Sequence, residues 1–199
     1  MEKIERIIAL FLIIILLPVF AIISLIIMLE SKGKPIFVQE RIGKNKKKFN
    51  IYKFRTMYID GEKRLKEFFE KNPEAKREWE IYRKLKNKDP RITKFGKWLR
   101  SFSFDELPQL FNILKGEMSF VGPRPYMAEE VERFESEDEI IFNLKPGLTG
   151  PWQVSGRNKL TFKERVEIDK NYIKQKTLRG DLIILLKTFG AIISKDGAY

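Results

Sequence analysis

The part of the sequence most suited to chemistry is the stretch around the adjacent carboxylates Asp105 and Glu106. Apolar residues flank the pair, and Arg100 lies five positions before Asp105. Two neighbouring carboxylates can divide the work of catalysis, because one can attack a phosphorus centre while the other holds a divalent metal ion. Pro108 predicts that a helix begins here, since proline is tolerated in a first turn and not deeper. The positive end of that helix would keep Asp105 ionised.

The same residues also fit a purely structural interpretation. Ser103 and Glu106 have the spacing of a capping box, in which Ser103 is the N-cap. That register places Pro108 where its missing N–H would cost a helical hydrogen bond, so we favour a slightly later helix start. Taken alone, an Asp-Glu pair at a helix start is more often a cap than a catalytic site. A catalytic role therefore needs support from the rest of the chain.

Composition limits the kinds of chemistry that are available. The 199 residues suit one globular domain with an appendage, and they include no cysteine and no histidine. Disulfides, thiolate nucleophiles, imidazole bases and His- or Cys-ligated metals are thereby excluded. Any metal would have oxygen ligands, which favours Mg²⁺, with Mn²⁺ as the alternative. The formal net charge of +12 predicts an acidic partner, such as nucleic acid, anionic lipid or a phosphorylated substrate.

Residues 7–29 form an almost unbroken apolar run, which at about 23 residues is long enough to span a bilayer as a helix. Pro18 lies at its midpoint, where it removes a helical hydrogen bond and bends the axis. Each half is then about 16 Å long, too short for a hydrocarbon core of about 30 Å. Two interpretations stay open: a kinked spanning helix, which the residues alone favour, and a re-entrant helix that enters and leaves by one face.

The segment that follows, residues 32–55, is strongly basic, which places it on the cytoplasmic side against anionic membrane lipid. Residues 43–46 predict the turn of a β-hairpin whose strands lie at 35–39 and 49–54. Lys53 and Arg55 alternate with apolar residues, so we expect them to be half-buried. Cations in such positions usually meet a carboxylate or a phosphate.

The remaining segments are predicted mostly as helices and one long loop. Residues 59–87 are charge-dense and helical, with a break at Asn72-Pro73, and residues 160–173 form another helix. Residues 129–139 are predicted as a solvated acidic patch. Residues 145–158 are rich in glycine and proline and are predicted as a binding loop. The last apolar run, 182–193, is too short to span and suits core packing or the membrane surface.

These motifs together make the chain resemble the bacterial sugar transferase family, the monotopic phosphoglycosyl transferases that start glycan assembly on a polyprenyl phosphate. The resemblance covers essentially the whole chain. It begins with the proline-containing apolar helix and continues, in family order, through Gln-Glu-Arg-Ile-Gly (39–43), Lys-Phe-Arg-Thr-Met (53–57), Asp-Pro-Arg-Ile-Thr (89–93), Arg100 with Asp-Glu-Leu-Pro-Gln-Leu (105–110), Gly-Pro-Arg-Pro (122–125), Lys-Pro-Gly-Leu-Thr-Gly (145–150) and Trp-Gln-Val-Ser-Gly-Arg-Asn (152–158).

The resemblance implies a reaction. In the family, the Asp of the dyad attacks the β-phosphate of a UDP-sugar, UMP leaves, and polyprenyl (undecaprenyl) phosphate then takes the phosphosugar from the Asp. Carried over, Asp105 is the nucleophile and Glu106 helps to bind Mg²⁺. Phosphate- or substrate-binding roles are implied, at matching motif positions, for Arg100, Arg124, Lys53, Arg55, Gln153 and Arg157.

The resemblance also implies the architecture. We expect a small, mainly helical α/β catalytic domain with a short β-hairpin at residues 32–199, attached to a proline-broken re-entrant membrane helix at 1–31 and to interfacial amphipathic helices. The protein would be monotopic in the bacterial inner membrane, with its catalytic domain on the cytoplasmic face. Leu17-Pro18 departs from the Ser-Pro break of some members, and Ser31-Lys-Gly-Lys34 departs from their Ser-Pro-Gly-Pro.

Two rival interpretations are weaker. A membrane-anchored nucleic-acid binder would need a basic face with aromatic side chains that stack on bases, whereas here the lysines cluster beside the apolar helix. A non-catalytic scaffold for glycan assembly is disfavoured by the intact dyad. We therefore expect a UDP-sugar, polyprenyl phosphate and anionic lipid as partners, and no nucleic acid. The oligomeric state is left open, with a homodimer as one option.

Overall fold

A computed structural model describes residues 2–82, 85, 89–156 and 160–194 of the chain. Most of these residues are helical, and the strands form two small two-stranded sheets. The helices are α1 (Glu2–Glu30), α2 (Gly61–Lys71), α3 (Pro73–Tyr82), α4 (Lys94–Ser101), α5 (Leu110–Lys115), α6 (Ala128–Val131), α7 (Pro151–Val154), α8 (Phe162–Lys174) and α9 (Leu178–Ser194). The strands are β1 (Ile36–Ile42), β2 (Lys48–Phe54), β3 (Ser119–Val121) and β4 (Gly147–Thr149).

The predicted hairpin is confirmed. Strands β1 and β2 pair antiparallel, from Ile36 opposite Phe54 to Ile42 opposite Lys48, around a turn at residues 44–46. The helix break at Asn72-Pro73 is confirmed as well, because α2 ends at Lys71 and α3 begins at Pro73. Proline at the first helical position lacks only an N–H that would have no helical partner there.

Helix α1 presents one face to the protein and leaves the rest apolar and exposed. Its buried residues recur at helical spacing and pack against α5, β2 and α4: Ala9, Ile13, Phe20, Ile23 and Ile27. Among the described residues it is the one helix long and apolar enough to cross a membrane, judged by length and composition. The helical backbone runs through Pro18 without interruption, so the predicted break is not confirmed.

Both ends of α1 bond to the same globular body. At its N-terminal end, Glu5 accepts hydrogen bonds from the Phe120 backbone and the Ser119 hydroxyl, both at 3.3 Å. At its C-terminal end, the Glu30 carboxylate accepts one from the Phe95 backbone N–H at 3.1 Å, where α4 begins. Glu2 also pairs with Lys145 at 2.9 Å. The helix is therefore held at each end as well as along its buried face.

The second sheet corrects the prediction of a loop at 145–158. Strand β4 pairs in parallel with β3, and the short helix α7 follows it directly. The backbone segments next to these strands approach so closely that a Cβ at Gly122 would lie 2.4 Å from the Lys145 carbonyl oxygen. The glycines that make this stretch look like a loop instead let two backbones meet. Helix α9 packs one face on this sheet and leaves Leu182, Leu186 and Phe189 exposed.

Candidate active site

The dyad lies in a tight turn between two helices. Helix α4 is N-capped by Thr93, whose Oγ1 accepts a hydrogen bond from the Gly96 N–H at 2.8 Å, and it ends at Ser101. Ser103 then takes a left-handed backbone (φ +57°), and residues 104–109 form a 3₁₀ segment that holds Asp105 and Glu106. Ser103 makes no side-chain cap, so the capping-box interpretation fails. The α-helical backbone resumes only at Leu110, later than Pro108.

This turn is held against the hairpin by Asn112 on α5, which is fully buried. Its Nδ2 donates to the Asn50 carbonyl at 2.6 Å, and its Oδ1 accepts from the Tyr52 N–H at 3.1 Å. The side chain thus completes the backbone hydrogen bonding of β2 while it fixes the start of α5. Sequence reasoning missed this residue, because its partners lie about sixty positions away in the chain.

The dyad opens into a cavity of about 630 Å³. Of the predicted site residues that the structure describes, all line this cavity: Asp105, Glu106, Arg100, Arg124, Lys53, Arg55 and Gln153. The predicted residue Arg157 lies outside the described residues. The cavity is large enough for a phosphate with attached groups, and the cations that line it beside the two carboxylates favour an anion.

Contacts within the cavity assign distinct partners to the predicted cations. The Lys53 ammonium lies 2.6 Å from Glu106 Oε1, and both side chains are about a quarter exposed (27% each). Arg100 Nε donates to Thr56 Oγ1 at 2.8 Å, which holds its guanidinium at the cavity wall. Lys53 therefore meets a carboxylate, as its half-buried position predicts.

Arg55 makes a different set of contacts. It lines the cavity, but its guanidinium donates to the carbonyl of Ser31, to the Ser31 hydroxyl at 3.0 Å and to the Lys32 carbonyl at 3.4 Å. These carbonyls follow the C-terminal end of α1, where a cation is favoured. Arg55 therefore joins the cavity wall to the end of the apolar helix.

The electrostatics of Asp105 correct the expectation from the helix dipole. Burial, and then the neighbouring Glu106 charge, raise the pKa of Asp105 to about 6, while Lys53 and Arg100 oppose the shift. An α-helix N-terminus would lower the pKa, but Asp105 lies in a 3₁₀ turn before α5 begins. A carboxylate with this pKa is still mostly ionised at neutral pH, and it is more basic than an ordinary aspartate.

The backbone of Arg124 is held by Asp169 of α8, a fully buried residue. The Arg124 N–H and the Tyr126 hydroxyl both donate to Asp169 Oδ2, at 3.0 and 2.9 Å. Burial raises the pKa of Asp169 to about 7. The Arg124 guanidinium lies over the Trp152 ring, 5.2 Å from its centroid. Asp169 lies near the end of the helix predicted at residues 160–173, and the sequence analysis gives it no role.

The acidic patch at 129–139 is only partly solvated. Glu130 pairs with Arg41 at 3.5 Å and with Arg124 at 3.7 Å, and its side chain is 18% exposed. Asp138 pairs with Lys170 at 3.0 Å. The predicted solvated face is therefore wrong for these two residues, because their cations come from distant segments.

The described residues could supply only part of the coordination shell of a metal ion. No group of three or more acidic side chains in the described ranges could hold a metal ion. The dyad supplies carboxylate oxygens, and Glu106 already binds one cation, the Lys53 ammonium. Mg²⁺ is commonly held by one or two carboxylates, with waters and substrate phosphates completing its shell. The donor set of the dyad fits that pattern.

Comparison with known proteins decides the family. A profile described as bacterial sugar transferase matches residues 2–195. The chain belongs to the bacterial sugar transferase family. This confirms the resemblance carried by the motifs.

Similarity to individual relatives supports this family assignment. The chain is 46% identical to the UDP-galactose-lipid carrier transferase of Erwinia amylovora over 96% of the chain and 40% of the relative. It is 48% identical to the undecaprenyl-phosphate galactose phosphotransferase of Salmonella typhimurium over 84% of the chain and 35% of the relative. It is 43% identical to the exopolysaccharide production protein ExoY of Sinorhizobium fredii, over 98% of the chain and 86% of the relative. The chain thus spans little more than a third of the first two and most of the third.

Proposed function

We propose that this protein transfers a sugar 1-phosphate from a UDP-sugar to undecaprenyl phosphate, as the first membrane step of bacterial glycan assembly. The observation that carries the proposal is the placement of Asp105 and Glu106 in one cavity with Lys53, Arg100 and Arg124. The chain's similarity to a UDP-galactose-lipid carrier transferase and to an undecaprenyl-phosphate galactose phosphotransferase supports the proposal. The absence of histidine and cysteine leaves a carboxylate as the natural covalent catalyst.

The first step forms a covalent intermediate. An oxygen of the ionised Asp105 carboxylate attacks the β-phosphorus of the UDP-sugar, the bond from that phosphorus to the bridging oxygen breaks, and UMP leaves with the electron pair. In the second step, an oxygen of the lipid phosphate attacks the same phosphorus, and the bond to Asp105 breaks. The products are a polyprenyl diphosphate sugar and the restored carboxylate. Because the steps are separate, the soluble and lipid substrates need not be bound together.

The cations that line the cavity would reduce the repulsion between the negative groups in this reaction. A carboxylate must approach a diphosphate, and later a lipid phosphate must approach the phosphosugar, so negative groups meet twice. Lys53, Arg100 and Arg124 supply positive charge around the dyad. The raised pKa of Asp105 leaves it ionised at neutral pH and more basic than an exposed aspartate. Catalysis then rests on positioning and charge stabilisation.

Mg²⁺, or Mn²⁺ in its place, would be held by Glu106 and would neutralise charge on the diphosphate. We expect Glu106→Gln to lose most activity and to weaken Mn²⁺ binding measured by electron paramagnetic resonance. The matched control is Glu70→Gln, which makes the same change at an exposed position of α2 outside the cavity lining. Full turnover in excess EDTA would contradict the metal role.

The decisive test of the function is a UMP-release assay over a panel of UDP-sugars with undecaprenyl phosphate. Incubation with the preferred UDP-sugar and no lipid should leave a phosphosugar on Asp105, found by peptide mass spectrometry. UMP release with at least one sugar, together with this adduct, is the expected result. An adduct on another residue would refute the mechanism, and no release with any sugar would favour the scaffold interpretation.

The proposed membrane topology is monotopic, with the catalytic domain on the cytoplasmic face and α1 entering and leaving by that side. Both ends of α1 bond to the same globular body, which supports this arrangement. The exposed apolar side chains of α1 and α9 would face lipid, and the basic segment at 32–55 would face anionic headgroups. Pro18 would bend the helix within the bilayer.

Cysteine labelling tests this topology without background, because the chain has no native cysteine. In Lys3→Cys, an exposed position, we expect no reaction with impermeant thiol reagents in intact cells and full labelling in opened cells. Adding Pro18→Ala should straighten the helix and move part of the population to external labelling. External labelling of the single variant would show that α1 spans the membrane.

A further inference from the structure

Beside Glu106, the main cavity adjoins a smaller space of about 40 Å³, which we call the inner chamber. Its wall includes Arg41, Lys53, Glu106, Arg124 and Gln153, all of which also line the main cavity, so the two spaces adjoin. A water molecule needs about 10–15 Å³ of such volume. The inner chamber therefore has room for about three waters. A phosphoryl group, with its three terminal oxygens, needs a space of that order.

Among the charged residues that line this chamber, Arg41 of β1 is the one to which the sequence analysis assigned no role. It is 9% exposed and makes three contacts: Nη2 donates to Gln39 Oε1 at 2.7 Å, Nη1 to the Pro125 carbonyl at 3.3 Å, and Nη1 lies 3.5 Å from Glu130 Oε2. Its buried Nε has no hydrogen-bond partner among the described residues, and neither has the Nε of Arg124. A buried donor left without a partner is destabilising, so each of these Nε atoms would favour an added acceptor.

The charge balance of the chamber also favours an anion. Arg41 and Arg124 share one carboxylate, Glu130, and neither contact is shorter than 3.5 Å. The Lys53 ammonium is matched by Glu106. Burial and then the nearby Arg124 charge lower the pKa of Arg41 to about 10, and the side chain stays charged at neutral pH. The two guanidiniums therefore carry more positive charge than their shared carboxylate neutralises.

We propose that the inner chamber is a phosphate subsite and that Arg41 is a further phosphate-binding residue, acting with Arg124 and Lys53. The inference rests on the proposed function for its role in turnover, but the affinity for phosphate can be measured without it. The ligand chemistry is a tetrahedral phosphate group. It can come from the sugar nucleotide or from the lipid acceptor, and the two half-reactions separate these sources.

The first experiment measures the rise in Tm of the purified full chain with increasing inorganic phosphate, at constant ionic strength. Arg41→Gln should weaken the apparent phosphate affinity by about tenfold or more, and Arg41→Lys should weaken it less, because a lysine keeps the charge and loses the fork of donors. The matched control is Lys48→Gln, which removes the same charge from an exposed hairpin position. Its affinity should stay within about twofold of the unmodified protein.

Equal phosphate affinity in Arg41→Gln and the unmodified protein would overturn the inference, as would an equal loss in Lys48→Gln. Because Arg41 also bonds Pro125 and Gln39, Arg41→Gln could lose its fold, which its Tm without phosphate would reveal. Arg41→Lys then decides: unchanged phosphate affinity in that variant overturns the inference, and a several-fold loss with a normal Tm supports it.

The second experiment compares half-reactions in Arg41→Lys and Arg41→Gln. If the subsite takes the sugar-nucleotide phosphate, adduct formation from UDP-sugar slows and discharge to undecaprenyl phosphate keeps its rate. If it takes the acceptor phosphate, the pattern reverses. Unchanged rates in both half-reactions would overturn the proposed role. If the unmodified protein formed no adduct, the proposed function would fail, while the Tm measurement would still decide whether Arg41 binds phosphate.

Discussion

Asp105 and Asp169 are both carboxylates whose pKa burial raises, to about 6 and about 7, yet their surroundings differ. Asp105 lies in a 3₁₀ turn at the wall of the main cavity, beside Glu106. Asp169 is fully buried on α8 and accepts hydrogen bonds from the Arg124 N–H and the Tyr126 hydroxyl. One carboxylate faces a space that a substrate can enter, and the other supports the backbone beneath a cation.

The comparison shows that a raised pKa does not by itself mark a catalytic group. Desolvation raises the pKa of a carboxylate whether its role is structural or reactive. Access and surroundings separate the two cases, since only Asp105 borders the cavity together with Lys53 and Arg100. The predictions below test this separation by changing each carboxylate in the same way.

The largest expected difference is in activity. Asp105→Asn removes the proposed nucleophile, and we expect UMP release to fall by about 10³-fold or more. Asp169→Asn keeps an oxygen that can accept from the Arg124 N–H and the Tyr126 hydroxyl. Its rate of UMP release should therefore fall by no more than about tenfold. Steady-state UMP release measures both. Equal losses in the two variants would erase the distinction, and an active Asp105→Asn would reassign the nucleophile.

A smaller effect is expected in the pH dependence of adduct formation. Protonation would remove the electron pair with which Asp105 is proposed to attack, so the rate should be nearly constant above pH 7 and fall about tenfold per pH unit well below pH 6. Single-turnover formation of the adduct from pH 5 to 8 gives the profile. Asp169→Asn is the control and should keep the same acid limb. A limb near pH 7 that disappears in this variant would show that Asp169 titrates in the reaction.

The smallest effect concerns stability. A carboxyl whose pKa is higher in the folded state than in the unfolded state destabilises the fold once it is ionised. For Asp105 this loss of stability is complete when the pH has risen through about 6. Asp105→Asn should therefore stabilise the fold at pH 7.5 by about 1 kcal/mol, or a Tm rise of about 2–4 °C. Tyr126→Phe removes a hydrogen bond to buried Asp169 and should lower stability by about 1 kcal/mol or more. Differential scanning calorimetry in detergent measures both, and a lower Tm for Asp105→Asn would contradict a destabilising charge on buried Asp105.

Much of the local structure could be predicted from the sequence. The hairpin, the break at Asn72-Pro73, the long apolar helix and the gathering of the dyad with Lys53, Arg100 and Arg124 follow from short patterns and from family motifs. The first three of these features depend on neighbouring residues: alternation along a strand, a proline at a helix start, or apolar residues at helical spacing. The composition, with no histidine or cysteine, also restricts the chemistry to carboxylates and oxygen-bound metals.

Only the tertiary structure decided what lies beneath and around those residues. Arg124 meets Asp169 across 45 positions of sequence, Arg41 meets Pro125 across 84, and Arg55 meets the end of α1 across 24. No pattern within a helix or strand encodes such contacts, because each depends on how separate elements pack. The pKa of Asp105 depends on packing too: its neighbours in sequence predict a lowered value, and burial in the folded protein raises it.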